Sequence, residues 1–457
     1  MSLLSKNPAT LEVNATIVEL TDSELTERIE HAERAYRSWR TTTFSERAQY
    51  VQQLAQYLRE HKEDLARLAS IEMGKTIAAG CAEVEKCAAV CEYYAEGAAT
   101  MLAPEPLSPE SPEDVVRFDP MGVVLAVMPW NFPFWQVYRF LAPALMAGNV
   151  ALLKHASNVP LCAQAIEDSF KGAGFPEAVF QNLFVGSSRV ESIIRNPHVK
   201  AVTLTGSEKA GSSVASIAGS EIKKTVLELG GSDPCIVCKD ADIALAARTI
   251  AKTRMQNNVG QSCIAAKRCI VHADVHDEFV RLLKDEFDTL VVGNPLEETT
   301  TVGPLATEQG LLDIERQVAT SVEKGAVVIS GGARAGDKGY FYAPTILTQV
   351  TPDMPVWREE TFGPVLPVVT FETEEEMIAL ANDTVYGLSS SLFTRDRELV
   401  ARVASRIEAG SVFVNRQVAS DPRVPFGGVK RSGYGRELSE YGIKEFVNVK
   451  YVSASAL

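Results

Sequence analysis

The sequence predicts an α/β protein built from two open, mostly parallel sheet lobes. Three observations carry that expectation. Short apolar runs of strand length alternate with helix-length segments from Gly122 onward, the pattern of βαβ units. Many of these runs end in Pro, Gly or Ser, as strand-to-helix turns do. The chain has 457 residues, 46% hydrophobic and 23% charged, enough for two or three ordinary soluble domains. The same figures exclude a disordered, collagenous or coiled-coil chain.

The N-terminal third reads as helical. Thr21-Asp-Ser-Glu24 is a capping box, followed by apolar residues at helical spacing through Trp39. A second amphipathic helix is expected from Ser45 to Leu68 and a third from Ile77 to Met101. Ala103 to Asp114 holds four prolines and several acids, and reads as a loop or crossing segment.

The texture then changes. Gly122–Met128 is a buried strand ending at Pro129, and Asn149–Leu153 a second. A helix fits Pro160–Ala173, stopped by Gly174 and Pro176. Val199–Thr205 is a third strand, with Gly206-Ser207 opening a helix, and Thr225–Leu229 a fourth, ended by Gly230-Gly231. Further apolar runs at Cys235–Val237, Val327–Ile329, Val365–Phe371 and Ser411–Val414 suggest a second lobe beginning near those glycines. Phe446–Val452 reads as a lone strand that needs an edge to pair with, for example on a neighbouring subunit.

Charge and targeting narrow the partners. A net charge of −14 disfavours nucleic acid. The first ten residues lack the pattern of a secretory signal, and the stretch Met121–Leu153 is too broken to span a membrane. The expected location is the cytosol. Eight cysteines are too few for a disulfide scaffold and read as reduced thiols. Cys235-Ile-Val-Cys238 lacks the second pair that a zinc site requires, so no metal is expected.

Several segments have chemical potential. Gly206–Gly211 has P-loop glycine spacing but is followed by Ser212 rather than Lys. What survives is Thr205-Gly206-Ser207, whose helix start offers free N–H groups to a pyrophosphate. Cys263, in Gly260-Gln-Ser-Cys263, precedes Lys267 and Arg268. If it opens a helix, dipole and cations would favour thiolate; otherwise it is another buried thiol. Glu228 ends an apolar strand, as a general base raised by burial or as a residue on a solvated face. Asn131, in Pro129-Trp-Asn-Phe-Pro133, follows the first strand at the ligand-binding carboxyl edge and supplies either an oxyanion donor or a turn. Lys154 ends the next strand at the same edge.

Taken in order, these segments resemble the aldehyde dehydrogenase superfamily over nearly the whole chain. To them are added Asn7-Pro-Ala-Thr10, Glu359-Glu-Thr-Phe-Gly-Pro364, Pro425-Phe-Gly-Gly-Val-Lys430 and Gly433-Tyr-Gly-Arg-Glu437. The pattern is most similar to bacterial succinic semialdehyde dehydrogenases. The resemblance implies two Rossmann-like lobes and a small β oligomerisation element. A cofactor-binding domain is expected over 1–103 and 121–230, a catalytic domain over 231–431, and the oligomerisation element over 104–120 and 440–457. It implies that Cys263 attacks the aldehyde, that Asn131 holds the oxyanion and that Glu228 activates water against the resulting thioester. Lys154 joins this catalytic set as well as the cofactor set, where it would bind the adenosine ribose. Pro129, Trp130, Ser157, Thr205, Gly206, Ser207, Glu360 and Phe362 complete the cofactor site. Glu437 would relay protons.

Ser157 stands where many NAD-preferring relatives carry a ribose-gripping Glu, so NADP is favoured and NAD usable, with Lys154 or His155 pairing the 2′-phosphate. Arg139 resembles the carboxylate-binding Arg of the semialdehyde enzymes, with Phe132, Gln136 and Ser420 beside it. A second Arg found in some relatives is replaced by Asn257, and a second redox-switch Cys by Ala265. The expected reaction is NAD(P)-dependent oxidation of succinic semialdehyde, a small anionic aldehyde, by a homodimer or homotetramer. A general short-chain aldehyde dehydrogenase is the nearest alternative, and a cysteine amidase or thioesterase the alternative from another class. A CoA-acylating enzyme would not need Glu228.

Overall fold

The computed structural model describes residues 2–108, 111–256 and 258–453. Two sheets organise it. The first has six strands in the order Gly433–Tyr434, Lys224–Glu228, Val199–Thr205, Val123–Met128, Val150–His155 and Phe180–Asn182. All pairings are parallel except that of Gly433–Tyr434. The second has seven strands in the order Val327–Ser330, Thr345–Thr348, Val365–Phe371, Arg268–His272, Pro234–Val237, Ser389–Phe393 and Ser411–Val414. It too is parallel, apart from its edge strand Val327–Ser330. Each sheet lies in its own apolar cluster, the first around Leu125 and Leu152, the second around Ile236 and Ile270. The runs read as continuously apolar because helices cover both faces.

The N-terminal helices pack on the first sheet. Asp22–Trp39 starts at the capping box of Thr21 and Glu24 and buries Leu25, Ile29, Tyr36 and Trp39. The helix expected over Ser45–Leu68 is two helices, Phe44–Glu60 and Lys62–Met73, broken at His61. His61 leaves helical geometry at φ −107° and ψ 17°, and its ring stacks on Tyr57. A second capping box at Thr43 and Glu46, not recognised in the sequence, starts the first of them. Ile77–Met101 has the expected bounds and buries Cys87 and Cys91 on one face.

Two expectations change at the small β element. The proline-rich segment is not a loop: Glu105–Ser108 and Ser111–Pro120 are strands. Pro106 lies on an edge strand of this three-stranded sheet, and in the middle strand Pro112 precedes, and Pro120 ends, the stretch that pairs with Val447–Val452. Nor is the C-terminal strand alone. Val447–Val452 pairs antiparallel with Ser111–Pro120 of its own chain. Just before it, Ile443 and Phe446 are buried in the core of the first lobe. An N-terminal hairpin, Ser2–Lys6 with Val13–Val18, was not visible in the sequence.

The connection between the sheets positions the site. Strands of the first sheet end together at its carboxyl edge, with Met128 beside His155 and Thr205 beside Glu228. Six residues after Glu228 the chain enters Pro234–Val237 of the second sheet. The carboxyl edge of one sheet is thereby joined to the amino edge of the other, and the residues between line the gap. No helix among the described residues is long and apolar enough to cross a membrane.

Candidate active site

Two cavities open between the lobes. One, of about 300 Å³, is lined by Phe132, Trp135, Gln136, Arg139, Lys86, Ser420 and Phe426, among others. The second, of about 230 Å³, is lined by Pro129, Trp130, Asn131, Thr205, Gly206, Ser207, Glu360 and Phe362, among others. Cys263 and Gln136 line both. A thiol at the junction of two chambers can meet a different molecule from each side.

Cys263 does not open a helix. It sits in a turn, half-buried, just before the strand Arg268–His272. Burial pushes its thiol up to about 12, against the pull of Lys267 and Arg139. Of the two readings the helix start is thereby removed, and desolvation outweighs the nearby cations. The turn before it is strained. Asn258 has φ 102°, Val259 φ 56° and Gly260 φ 72°. A β-branched residue in the left-handed region persists only where its surroundings over-determine it. Asn258 supplies part of that constraint, donating from Nδ2 to the carbonyls of Asn131 (2.7 Å) and Gln261 (3.1 Å). Asn257, at the position of the second Arg, lies outside the described residues.

Glycine is required at the crossing between the lobes. A Cβ on Gly231 would stand 2.6 Å from the Cys263 carbonyl oxygen, and one on Gly230 2.5 Å from a Glu360 carboxylate oxygen. The pair lets the backbone pass between the turn of Cys263 and the side chain of Glu360.

Asn131 is buried on the wall of the second cavity, with one Nδ2 hydrogen on the Gln261 carbonyl at 3.0 Å. Its second amide hydrogen remains for another acceptor. The loop that carries it is held from outside the first sheet. Glu83 accepts the N–H groups of Phe134 and Trp135, each at 2.9 Å, and forms a buried ion pair with Lys75. Lys75 in turn lies 3.9 Å from the Phe132 ring centroid. These residues were missed in the sequence. The signal was present: Glu83 is a charge on the same helical stripe as Gly80, Val84, Cys87 and Cys91.

The structure does not bring Glu228 into either cavity. Its carboxyl group is buried with no hydrogen-bond partner among the described residues, against the space left by Gly427. Burial, then the Glu437 charge, holds it well above the ordinary carboxylate range, against the pull of Arg139 and Arg436. The solvated-face alternative is thereby removed. Arg139 and Glu437 form a buried ion pair beside it, and the Arg139 guanidinium lies 4.6 Å from the Phe426 ring centroid. The residue expected to clamp a substrate carboxylate thus already has an anion.

On the cofactor side, Thr205 ends its strand, and Ser207 caps the helix Glu208–Ser220, accepting the Ala210 N–H at 3.3 Å. That helix start presents the free N–H groups a pyrophosphate needs. Glu360 accepts the Gly231 N–H at 3.2 Å and pairs with Lys267. Phe362 meets Trp130 edge-to-face at 5.7 Å. Lys154 is buried, desolvation lowers its pKa, and Ser157 is exposed just beyond it. His155 is corrected as a phosphate partner. Its Nε2 is bonded to the Pro133 carbonyl at 2.8 Å, Nδ1 accepts the Ala156 N–H, and burial lowers it to about 4, so it is neutral. The exposed Ser157, the ammonium of Lys154, which has no carboxylate partner among the described residues, and the helix start fit a phosphorylated dinucleotide.

Comparison with known proteins agrees with this geometry. The model of the aldehyde dehydrogenase family matches residues 2–452. A probable NADP+-dependent succinate-semialdehyde dehydrogenase of Synechocystis is 49% identical over 452 residues, covering 99% of each chain. The NADP+-dependent succinate-semialdehyde dehydrogenase 1 of Mycobacterium tuberculosis is 50% identical over 455 residues, again covering 99% of each. Among solved structures, succinic semialdehyde dehydrogenase of Streptococcus pyogenes, in complex with NADP+, superimposes with a TM-score of 0.96 at 38% identity, covering 99% of this chain and 100% of the other.

Proposed function

The chain belongs to the aldehyde dehydrogenase family, and from that premise we propose that it oxidises succinate semialdehyde to succinate with NADP+. The observation that carries this reading is the meeting of two chambers at Cys263, one with cations and aromatic walls, the other beside a helix start. The first suits a small anionic aldehyde, the second a dinucleotide.

Cys263 gives its thiol proton to water in the chamber, and Sγ attacks the aldehyde carbon to give a thiohemiacetal alkoxide. The Asn131 amide and the Cys263 N–H hold its oxyanion, each such donor contributing about 3–4 kcal/mol to the transition state. NADP+ held in the second chamber would supply the hydride acceptor, and Cys263 would then carry the acyl group as a thioester. Glu228, after rotating from its place beside Gly427, takes a proton from the water that hydrolyses the thioester. Glu437 is its neighbour for passing that proton on. Glu360 and Lys267 order the cofactor side of the gap, Phe362 and Trp130 form its aromatic wall, and Lys154 with Ser157 receives the 2′-phosphate end. Phe132, Gln136, Arg139 and Ser420 enclose the aldehyde. Exposed Leu107, Val449 and Tyr451 on the three-stranded sheet support a homodimer or homotetramer, which light scattering resolves.

The test compares succinate semialdehyde with butyraldehyde, and NADP+ with NAD+, by the absorbance of reduced nicotinamide. The reading requires higher kcat/KM for the anionic aldehyde and for NADP+. Equal turnover of both aldehydes would make the enzyme a general short-chain dehydrogenase.

A further inference from the structure

One cation of the aldehyde chamber is left without an anion. Lys86 projects from the helix Ile77–Met101, one turn beyond Glu83, and lines the same cavity as Cys263. Its ammonium donates to Ser420 Oγ at 2.5 Å and lies 4.1 Å from the Trp135 ring centroid. Around it, Lys75 is paired with Glu83, Arg139 with Glu437 and Lys267 with Glu360. Among the described residues, no carboxylate reaches Lys86 within ion-pair distance. Burial, then the charge of Arg139, lowers Lys86 to about 8, while Cys87, Glu83 and Asp421 act more weakly in the other direction. A partly desolvated ammonium that faces a second cation gains more from an arriving anion than a solvated one does.

We propose that Lys86 is the residue that binds the substrate's distal carboxylate, with the Ser420 hydroxyl and the Trp135 face completing the subsite. The proposal rests on succinate semialdehyde being the substrate. It divides labour between two cations. Lys86 supplies the unmatched positive charge. Arg139 keeps its charge for Glu437 and, through that cluster, acts on Glu228. Trp135 contributes an electron-rich face that keeps the ammonium in place when no anion is bound.

The experiment measures kcat and KM for succinate semialdehyde and butyraldehyde with the wild-type enzyme, Lys86→Met, Lys86→Arg and Arg139→Met. Lys86→Met is expected to lose about 10- to 100-fold in kcat/KM for the anionic aldehyde, mainly through KM, the worth of one charge-assisted hydrogen bond. Butyraldehyde should change by about threefold or less, since it has no group for Lys86 to hold. Lys86→Arg should recover most of the loss. Arg139→Met should instead lower kcat for both aldehydes. In the wild type, the preference for the anionic aldehyde should decline as pH rises past about 8, where Lys86 loses its proton, and should not decline there in Lys86→Arg. Equal losses for both aldehydes in Lys86→Met, or no loss, would overturn the proposal. A wild-type enzyme without preference for the anionic aldehyde would instead overturn the substrate reading on which the proposal rests.

Discussion

Asn131→Ala separates catalysis from folding. The substitution removes an oxyanion donor that faces the cofactor chamber beside Cys263. Loss of one preorganised donor is worth about 3–4 kcal/mol in the transition state, or roughly 100- to 1000-fold in kcat. The structural cost should be small. The Gln261 carbonyl that loses the Asn131 amide still receives Asn258 Nδ2 at 3.1 Å, so no buried acceptor is orphaned. The Asn131 backbone carbonyl, which takes the other Asn258 bond, is untouched. That leaves about 1 kcal/mol of stability, which for a chain of this length is a Tm change of roughly 1–2 °C. NADP+ affinity should hold, because the helix start at Ser207 is unaffected. The assay pairs steady-state kcat with a thermal melt and a fluorescence titration of NADP+. A variant that folds, binds cofactor and loses less than about tenfold in kcat would refute the oxyanion role.

Three more outcomes test separate parts of the site. Glu228→Gln should keep a first-turnover burst of NADPH but lower steady-state kcat by about 100-fold or more, leaving the thioester on Cys263 detectable by mass spectrometry. Glu228 works as a base only when deprotonated and its pKa is raised, so wild-type kcat should climb with pH through that raised value and the variant should lack the climb. Ser157→Glu should lower kcat/KM for NADP+ by about 100-fold through repulsion of the 2′-phosphate, with NAD+ spared; parallel losses for both cofactors would refute the assignment. His155 is neutral in the folded protein and lowered to about 4, so the unfolded chain binds the extra proton between about pH 6.5 and 4. Stability from this group is fully present above about pH 6.5 and falls by about 1.4 kcal/mol per pH unit below it, and His155→Gln should reduce that slope in urea titrations.

The fold was legible where one physical signal dominated. Val199–Thr205, Val365–Phe371 and Ser411–Val414 are apolar runs bounded by turn residues, and their strands have those bounds. The capping box at Thr21 gave the first helix its start, since a reciprocal side-chain bond is a local feature. His61 could not be read as a break, because amphipathic spacing runs on through it. The proline-rich strands were hidden because proline reads as a breaker unless an edge strand or a strand end is known to receive it. Short motifs led to Cys263 and Asn131, which the structure places on the cavities between the lobes, whereas Glu228 lies outside both. The site was not legible where a residue acts through a distant contact. Lys86 meets Ser420 across 334 positions, and Glu83 reaches the N–H groups of Phe134 and Trp135 across about fifty. Nor could spacing say whether the cations after Cys263 outweigh burial of the thiol, because that balance depends on the finished cavity.

The charges around the thiol follow one rule with one exception. An acidic protein with net charge −14 must attract an anionic aldehyde and a phosphate-rich cofactor, so local cations have to override the global field. Leaving several of them unpaired in a partly desolvated gap would be unstable, since each buried charge without a partner costs several kcal/mol. Three are therefore matched, Lys75 by Glu83, Arg139 by Glu437 and Lys267 by Glu360, and each pair also holds an element of the site. Glu83 fixes the start of the helix behind Asn131, Glu437 adjoins Glu228, the proposed base, and Glu360 receives the Gly231 N–H at the crossing between lobes. Among the described residues that line the aldehyde chamber, Lys86 is the cation that can be matched only from the cavity, with its ammonium against Ser420 and Trp135. An uncharged aldehyde leaves that charge as it was, whereas an anionic one completes the fourth pair. Selectivity then comes from a deficit that the substrate itself fills, while the matched pairs keep the surrounding structure in place whether substrate is present or not.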